Sequence, residues 1–514
     1  MSGQMPRTAA DWAAGGVDPL SATALLQTFG DAETGAVYDK DGERSDFTDI
    51  TLARSVIAYF QGVAAYSRFF AFLHHHYEPL DDAVLESFLA LVIERRVNPR
   101  KATDRRVVAV RKQVERLAYR SLDWANETLD VQQLVAFQSG VLEIPALRFR
   151  PGRPDDYMTM HLNCDWDPAT PPGAIDDFLH LLLQPDEVRP FLEFLGYCEV
   201  AGAPSLEAYA ILLGAGENGK SRLLQVIGAL FRGFTASVPF QDLAKHHFEK
   251  SVLFRRMLNL VGDMSLSADL VQDSSVIKTL TGGDTIHADV KFKSSIEFQN
   301  RTKFIISSNE LFRSNDHTWG FYRRPLIFHL LRDFREGGAD GDKRDPRVVD
   351  RLLADPNTLP RLARLGVEAY VAMLAGRGRF SESPDMQSAR EEFRLANDAV
   401  AAFVQDVITE VQGGEVLKED VYRAFSLWAK ATGRGVVGST KFWQRWANTK
   451  PAFAHDSRPK RPDGSRPYVI RGIAFTTDCV VMVPGNEGDF VPLPEALASS
   501  RTGGRQGTRR LTGS

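Results

Sequence analysis

The chain has few cysteines, no long apolar run and almost no net charge. Its 514 residues include only three cysteines, Cys164, Cys198 and Cys479, and no CxxC pair. This excludes a disulfide scaffold and a zinc ribbon, and it fits a reducing compartment. No apolar run approaches the roughly 20 residues of a membrane span, and the N-terminus lacks a signal-peptide core. We therefore expect a cytoplasmic protein without membrane contact.

The charge pattern limits how the protein could bind nucleic acid. Lys and Arg number 62 against 66 Asp and Glu, which gives a formal net charge of −4. A protein that coats nucleic acid uniformly would be strongly basic, so any such contact must be local. The stretch 434–471 carries nine Lys and Arg against only Asp456 and Asp463. Such a run is also typical of an ordinary solvated face.

Length and composition predict a globular protein of two to four domains, with 43% hydrophobic and 25% charged residues. Helical periodicity from Leu52 to Asn126 predicts a helical bundle whose first helix is closed by His74, His75 and His76. The expected segments are a weakly structured arm (1–50), a mainly helical domain (51–200), an α/β domain (201–335), a helical connector (336–392), a domain of helices and strands (393–480) and a disordered tail (481–514).

A phosphate-binding motif stands at the start of the α/β segment. Residues 214–221 read GAGENGKS and match G-x-x-x-x-G-K-[ST], between a predicted strand at 210–213 and a predicted helix at 222–231. In such a loop, backbone N–H groups surround the phosphates, the lysine reaches the β and γ phosphates, and the hydroxyl ligates Mg²⁺. The sequence therefore predicts an ATP and Mg²⁺ site built from Gly214, Gly216, Asn218, Gly219, Lys220 and Ser221.

Three later features can complete a nucleotide hydrolase. Asp263 follows a predicted strand at 257–261 and can hold Mg²⁺ and polarise water, although a lone Asp there is commonly a cap. Asn309 ends the predicted strand TKFIISSN, where an amide can orient the attacking water. Arg323 and Arg324 precede another strand, and an arginine can stabilise transferring phosphate from a neighbouring subunit. A surface salt-bridge pair is the alternative for the two arginines.

A hairpin is predicted between these motifs. Residues 285–290 and 295–299 read as two strands around Lys291, Phe292 and Lys293. Two lysines can hold backbone phosphates while the phenyl ring stacks on a base. An ordinary hairpin with solubilising lysines remains the alternative.

The ordered motifs GAGENGKS, LTGGD with the K-F-K hairpin, ISSN and YRR resemble the superfamily 3 helicases. In particular, they resemble the helicase half of the phage/plasmid primase-helicase family related to poxvirus primase-helicases, from about Gln133 to Phe475. The resemblance implies an α/β, AAA+-type P-loop ATPase core, preceded by a helical collar-like domain and followed by a winged-helix domain.

The same resemblance implies roles for single residues. Asp263 takes the acidic position, Asn309 the sensor position, and Arg324 the finger acting in trans, with Arg323 as the alternative. Lys291, Phe292 and Lys293 line the central pore of a ring. Many members carry two adjacent acidic residues where this chain has Gly262 before Asp263, so the identity of the general base stays open.

The C-terminal domain is predicted to hold three helices and a basic hairpin that turns at Asp463-Gly464, which resembles a winged helix. In such a fold the third helix can enter the major groove and the wing can touch phosphates. Trp428, Phe442, Trp443 and Trp446 are predicted to be core. The candidate DNA-binding residues are Lys441 and Arg445 on the third helix, and Arg458, Lys460, Arg461 and Arg466 on the wing. Contacts between subunits or with another protein are the alternative role.

These patterns predict a ring-forming, ATP-dependent DNA helicase, expected to be a homo-hexamer, that acts on single-stranded and forked DNA in phage, prophage or plasmid replication. A bacterial host cytoplasm is the expected compartment, and a primase or polymerase is the expected kind of partner. Two alternatives are a DNA-stimulated ATPase with a regulatory or defence role and no unwinding activity, and a non-catalytic origin-binding protein. Asp39 and Asp41 in VYDKDGE superficially match a metal pair, but a turn is expected there, and no primase activity is predicted.

Overall fold

The computed structural model describes residues 8–65, 68–120, 133–144, 146–200, 202–203, 205–262, 274–289, 295–314, 316–476, 480–482 and 490–502. The chain divides into two compact units. The first unit consists of Met1–Phe312 and Arg324–Gln387, and the second of Arg313–Arg323 and Ser388–Ser514. Among the described residues, no helix has the length and apolarity needed to cross a membrane.

The first unit begins with small helices and antiparallel strands. In chain order these are α1 (Ala9–Ala14), α2 (Ala22–Thr28), α3 (Asp31–Thr34), β1 (Ala36–Tyr38), β2 (Arg44–Phe47), α4 (Asp49–Phe60), β3 (Val63–Ala65), β4 (Arg68–Leu73), β5 (His76–Leu80), α5 (Asp82–Arg96), α6 (Asp104–Ala118), β6 (Leu134–Phe137), β7 (Gly140–Glu143) and β8 (Arg148–Arg150).

The N-terminal segment is more ordered than the sequence predicted. Trp12, Leu25 and Phe29 are buried in the same core cluster as α4, α5 and α6, so the residues described before position 50 are not a loose arm. Asp39 lies in the turn between β1 and β2, where its carboxylate accepts the backbone N–H groups of Asp41 and Glu43, as the prediction of a turn required.

The predicted helical bundle is wrong between residues 63 and 80, where β3, β4 and β5 form an antiparallel sheet. Phe69 and Phe70 lie on opposite faces of β4 and are buried in two different core clusters. A strand buried on both faces has no polar side, so its apolar run imitates part of a helix. His74 to His76 therefore lie where β4 turns into β5, and His74 has a left-handed φ of 56°.

A five-stranded parallel sheet forms the centre of the first unit, with the order β10–β11–β14–β9–β15. Its elements and their neighbours are α7 (Ala174–Leu182), α8 (Val188–Glu199), β9 (Tyr209–Leu213), α9 (Lys220–Leu230), β10 (Thr235–Ala236), α10 (Phe240–Lys245), α11 (His247–Lys250), β11 (Leu258–Val261), α12 (Ser274–Gly282), β12 (Thr285–Ala288), β13 (Ile296–Gln299), β14 (Lys303–Ser308), α13 (Trp319–Tyr322), β15 (Pro325–His329), α14 (Val348–Ala354) and α15 (Thr358–Ala375). All but α13 belong to this unit.

The predicted connector at 336–392 is largely part of this core. Leu352 on α14, and Leu362, Val367 and Tyr370 on α15, are buried in the cluster that also contains the strands of the sheet. The charged residues that suggested a linker lie on the solvent side of these amphipathic helices.

The second unit alternates helices and strands. Its elements are α16 (Pro384–Asn397, which begins in the first unit), α17 (Ala399–Val407), β16 (Ile408–Leu417), α18 (Lys418–Ala431), α19 (Ser439–Thr449), β17 (His455–Ser457), β18 (Val469–Phe475), β19 (Val480–Met482), β20 (Phe490–Pro492) and α20 (Leu493–Thr502). Strands β16, β18 and β17 form an antiparallel sheet in that order. Of the four predicted core aromatics, Trp428, Phe442 and Trp446 are buried in its core, and Trp443 is partly buried against it.

Two features of this unit were missed. Residues 408–417 form the strand β16, which the prediction of three helices followed by a basic hairpin does not contain. The described part of the predicted tail includes α20, whose Leu493, Ala496 and Leu497 are buried in the core of the unit.

Candidate nucleotide-binding site

The predicted phosphate loop joins the end of β9 to the start of α9. The expected strand and helix are confirmed, since β9 ends at Leu213 and α9 begins at Lys220. Gly219 precedes the helix with a left-handed φ of 89°, a conformation that favours glycine. The first N–H groups of a helix lack intrahelical acceptors, so α9 offers donors and positive potential to an anion at this end.

Lys220 is buried and held by three uncharged oxygens. Its side chain donates to the carbonyl oxygen of Gly214 at 2.5 Å, to Asn218 Oδ1 at 3.0 Å and to Asn309 Oδ1 at 3.1 Å. Asn309 follows β14, which pairs with β9, so parallel pairing brings both strand ends to one edge of the sheet. The structure thus brings together the predicted lysine and the predicted sensor asparagine.

Asn218 fixes the loop to the strand beyond β9. It is 2% exposed, and its Nδ2 donates to the carbonyl oxygen of Leu330, directly after β15, at 2.9 Å. A Cβ atom at Gly214 would lie 1.8 Å from this nitrogen, so the loop needs glycine there. The predicted contact of Asn218 with nucleotide stays a prediction; in the structure both ends of its amide bind protein groups, and its Oδ1 positions Lys220.

A cavity of about 570 Å³ adjoins the phosphate loop. It is lined by loop residues including Lys220 and Ser221, by Asn309, and by an apolar wall made of Phe178, Leu181, Leu182, Phe334, Pro346 and Val348. The volume and this division into a polar and an apolar part suit a nucleoside triphosphate, with the base against the apolar wall.

Lys343 and Arg344 also line this cavity and were missed by the sequence analysis, which assigned them to a connector. Both side chains are exposed; Lys343 contacts Asp340 at 3.0 Å, and Arg344 lies 3.9 Å from Glu217. Only the basic pair KR in a turn-rich stretch marks them in the sequence, and no motif links them to the loop.

The predicted ligands of Mg²⁺ are Ser221 and Asp263. Ser221 lies in the first turn of α9 and lines the cavity, as a hydroxyl ligand of Mg²⁺ would. Asp263 lies outside the described residues, although the strand before it is confirmed as β11, which pairs with β14. Among the described residues, no group of three or more His, Cys, Asp or Glu side chains could hold a metal ion.

The two candidate finger residues have different surroundings. Arg324 is 7% exposed, donates to Thr281 Oγ1 at 2.8 Å and lies 3.2 Å from Glu207 Oε1. It precedes β15 and is therefore at the amino edge of the sheet, opposite the phosphate loop. Arg323 ends α13 and is exposed.

The predicted hairpin is confirmed in its strands. β12 and β13 pair antiparallel, with Ile286 opposite Phe298. The tip residues Lys291, Phe292 and Lys293 lie outside the described residues.

Most of the basic candidates in the second unit are exposed. These are Lys441 on α19, and Arg458, Lys460, Arg461 and Arg466 between β17 and β18. In that loop, Arg458 stacks on the ring of Tyr468, with its guanidinium 4.3 Å from the ring centroid. Arg445 differs from the prediction because it is half-buried and within electrostatic reach of Asp398 and Tyr322; burial lowers its pKa. It therefore packs inside its unit rather than facing solvent with Lys441.

Comparisons with known proteins give two family matches. The family described as D5 N terminal like matches residues 90–184, and a family of unknown function, DUF5906, matches residues 212–324. The second match extends from the end of β9 to Arg324.

Two viral proteins are similar in sequence. One, named "putative helicase", is from Acanthamoeba polyphaga mimivirus and is 29% identical over 213 residues, which is 39% of this chain and 22% of that protein. The other, also named "putative helicase", is from Invertebrate iridescent virus 6 and is 26% identical over 348 residues, which is 60% of this chain and 36% of that protein. The chain thus spans about a third or less of each relative.

Two solved structures of the NrS-1 C-terminal region are also similar. One has 10% identity and a TM-score of 0.44, and covers 84% of this chain and 100% of that chain. The other has 13% identity and a TM-score of 0.39, and covers 60% of this chain and 77% of that chain.

Proposed function

We propose that this chain, as a member of the D5-like family of phage and viral primase-helicases, is an Mg²⁺- and ATP-dependent DNA helicase of superfamily 3. The observation that carries the proposal is the meeting of Lys220 and Asn309 at the carboxyl edge of the parallel sheet, beside a cavity large enough for a nucleotide. Ligand sites of open α/β sheets lie at this edge.

The strand order supports an AAA+-type core. In chain order, the five parallel strands occupy the sheet as second, third, fourth, first and fifth, with the phosphate loop after the first. The first strand is therefore flanked by the strand that ends at Asn309 and by the strand that follows Arg324. Each copy of the chain therefore has a nucleotide site at the carboxyl edge of the sheet and an arginine at the amino edge. Such an arrangement suits a ring in which neighbouring copies share catalysis.

In the proposed site each residue has one task. Lys220 binds the β and γ phosphates, Ser221 and Asp263 hold Mg²⁺, and Asn309 orients the attacking water. Mg²⁺ supplies charge neutralisation on the phosphates when it is bound. We assign the arginine finger to Arg323 rather than Arg324, because Arg324 is buried against Glu207.

DNA is proposed to contact two regions. The lysines of the 291–293 hairpin hold the phosphates of a single strand in the pore of a homo-hexamer, and nucleotide-dependent movement of the hairpin advances the strand. The helix–strand–helix–helix–strand–strand order of α17 to β18 supports a winged helix whose exposed loop, 458–468, contacts duplex phosphates at the fork.

A combined assay tests the proposal. ATP hydrolysis with and without single-stranded DNA, and strand displacement on a forked duplex, are measured for the unmodified chain and for Lys220→Ala, with Lys112→Ala as an exposed-lysine control. We expect DNA-stimulated hydrolysis and displacement, both lost only in Lys220→Ala. Stimulated hydrolysis without displacement would contradict unwinding and support a regulatory ATPase. A monomer by mass photometry with a non-hydrolysable ATP analogue and forked DNA would exclude the ring.

A further inference from the structure

A short segment between β15 and α14, residues 332–346, forms part of the wall of the nucleotide cavity. Phe334 gives this wall an apolar surface, and Lys343 and Arg344 give it two positive charges. The backbone N–H of Phe334 donates to the carbonyl oxygen of Glu217, in the phosphate loop, at 3.0 Å. The segment is therefore attached to the phosphate loop itself. Because its two cations are exposed, they lie at the open side of the cavity.

Ion pairs within the segment give it a fixed shape. Asp340 is 6% exposed, and its carboxylate accepts a hydrogen bond from Lys343 Nζ at 3.0 Å. Arg335 is held by Asp333, whose two carboxylate oxygens each accept a bond from the guanidinium at 2.7 Å. Charge-assisted hydrogen bonds of these lengths are strong, so Lys343 and Arg335 are committed to partners inside the segment.

Arg344 is held more loosely than these two cations. Its Nη1 lies 3.9 Å from Glu217 Oε2, beyond hydrogen-bond distance, and both side chains are more than half exposed. Exposed ion pairs are weak, because water screens both charges and the long side chains lose freedom on pairing. Arg344 can therefore leave Glu217 at little cost.

Glu217 places a negative charge in a loop that is proposed to bind phosphates. It lines the same cavity as Lys220 and Arg344. A carboxylate beside a triphosphate repels it, so this charge opposes nucleotide binding unless a cation offsets it. Arg335 is also within electrostatic reach of Glu217, but it is bound to Asp333. Arg344 is the cation that both lines the cavity and faces Glu217.

We propose that Arg344 is a second phosphate-binding cation of the nucleotide site, and that Glu217 holds it at the open side of the cavity until a triphosphate binds. A guanidinium binds phosphate oxygens through two parallel N–H donors, a geometry that the 3.9 Å contact with Glu217 lacks. Binding exchanges a weak ion pair for charge-assisted hydrogen bonds. This exchange becomes more favourable as the charge of the ligand rises, so Arg344 favours ATP over ADP. The inference rests on the proposed function, because it needs nucleotide in this cavity.

The test measures nucleotide binding to the full chain by isothermal titration calorimetry, in the presence of Mg²⁺. The ligands are ADP and the non-hydrolysable ATP analogue AMP-PNP. We compare the unmodified chain with Arg344→Ala, Glu217→Gln and the double variant. Arg347→Ala is the matched control, since Arg347 is also exposed, lies three residues further along the chain and is not among the described residues that line the cavity.

We expect Arg344→Ala to weaken AMP-PNP binding by about 10-fold, the loss typical of one hydrogen bond to a charged group, and to weaken ADP binding by less. Glu217→Gln should strengthen AMP-PNP binding by about 2- to 5-fold, because the competing carboxylate is removed. The double variant should still bind AMP-PNP about 10-fold more weakly than Glu217→Gln, since Arg344 acts on the phosphates. Arg347→Ala should leave both affinities unchanged.

Three results would overturn the inference. The first is equal AMP-PNP affinity of the double variant and Glu217→Gln, because Arg344 would then serve only to neutralise Glu217. The second is an equal loss of AMP-PNP and ADP binding in Arg344→Ala, which would show no preference for the triphosphate. The third is parent affinity for AMP-PNP together with a lowered melting temperature in Arg344→Ala, as expected of a purely structural ion pair.

The outcome is separable from the proposed function. Strand displacement together with Arg344-independent binding of AMP-PNP would refute this inference and leave the helicase intact. Arg344-dependent binding of AMP-PNP without strand displacement would keep the inference and refute the helicase.

Discussion

Lys220 at the carboxyl edge and Arg324 at the amino edge of the parallel sheet are held by different kinds of acceptor. At the carboxyl edge, Lys220 is surrounded by two side-chain amide oxygens and one backbone carbonyl, none of them charged. At the amino edge, Arg324 is bound to a carboxylate, that of Glu207. Triphosphate oxygens can displace neutral acceptors from a lysine, whereas a carboxylate competes for the cation with its full charge.

This difference indicates which cation is ready to react. For Lys220 to bind a phosphate oxygen, an amide oxygen that accepts a neutral hydrogen bond can give way. Arg324 would have to leave Glu207 to reach a neighbouring subunit, and separating this ion pair would leave a buried arginine without its carboxylate. Arg323, the preceding residue in the chain, is exposed. The proposed function therefore assigns nucleotide binding to Lys220 at the carboxyl edge, whereas Arg324 at the amino edge is bound to Glu207 within the fold.

The largest effect is expected for the carboxyl edge itself. Lys220→Ala should abolish ATP hydrolysis, because no other described side chain takes its place between Asn218 and Asn309. A steady-state phosphate-release assay measures this, and unchanged circular dichroism checks that the protein is folded. Retained turnover would disprove the assignment of the phosphate loop.

The arginine pair separates a finger from a structural residue. Arg323→Ala should lower ATP hydrolysis by about 10³-fold with little change in melting temperature. Arg324→Ala should lower the melting temperature by several degrees, because Glu207 is left without its partner. Mixing Arg323→Ala with Lys220→Ala protein should restore part of the hydrolysis if the finger acts across subunits.

Glu207→Gln is the matched control for Arg324, since it removes the ion pair and keeps the arginine. If Arg323→Ala is fully active, and Arg324→Ala loses hydrolysis while Glu207→Gln keeps it, the finger is Arg324. The contrast between the two edges would then be wrong.

Asn218 tests whether neutral acceptors are needed around Lys220. Asn218→Asp replaces the amide with a carboxylate beside Lys220 and removes the donor to Leu330. We expect KM for ATP to rise about 10-fold or more, because the carboxylate competes with the phosphates for the lysine. Asn218→Ala should lower kcat with a smaller rise in KM. An equal KM in the two variants would show that charge at this position is unimportant.

The sequence was sufficient where a motif and a pattern of strands agreed. The phosphate loop, β14 and Asn309 were predicted because apolar runs end at polar residues, and parallel strands bring such ends to one edge. Arg323 and Arg324 could not be distinguished, because their burial depends on Glu207 and Thr281, which are distant in the sequence.

The errors have a common physical origin in tertiary packing. β4 is buried on both faces, so Phe69 and Phe70 show no alternation of polar and apolar residues. Lys343 and Arg344 reach the nucleotide cavity because α14 and α15 pack on the sheet, which composition alone does not reveal. The strand β16 was missed because Gly413 and Gly414 interrupt its pattern, at a point where its register with β18 shifts.

The smallest predicted effect concerns Glu187, a buried acid near the carboxyl edge of the sheet whose ionised form destabilises the folded state at neutral pH. Glu187 is buried and accepts the backbone N–H of His329, at the end of β15, at 3.2 Å. Burial, with Asp186 and Asp385, raises its pKa from 4.5 to about 7.

A raised carboxyl pKa means that the folded state binds the proton of Glu187 more tightly than the unfolded state does. The stabilisation from this bound proton is complete near pH 4 and is lost as the pH rises through 7. Glu187→Gln should therefore be more stable than the parent at pH 8 by about 1–3 kcal/mol, with the difference vanishing near pH 4.5. Urea denaturation at both pH values measures this, with the exposed Glu336→Gln as the control. If the free energy of unfolding changes with pH in the same way for the parent and for Glu187→Gln, the pKa of Glu187 is not raised in the folded state. The carboxyl edge would then tolerate a buried anion as readily as the amino edge does.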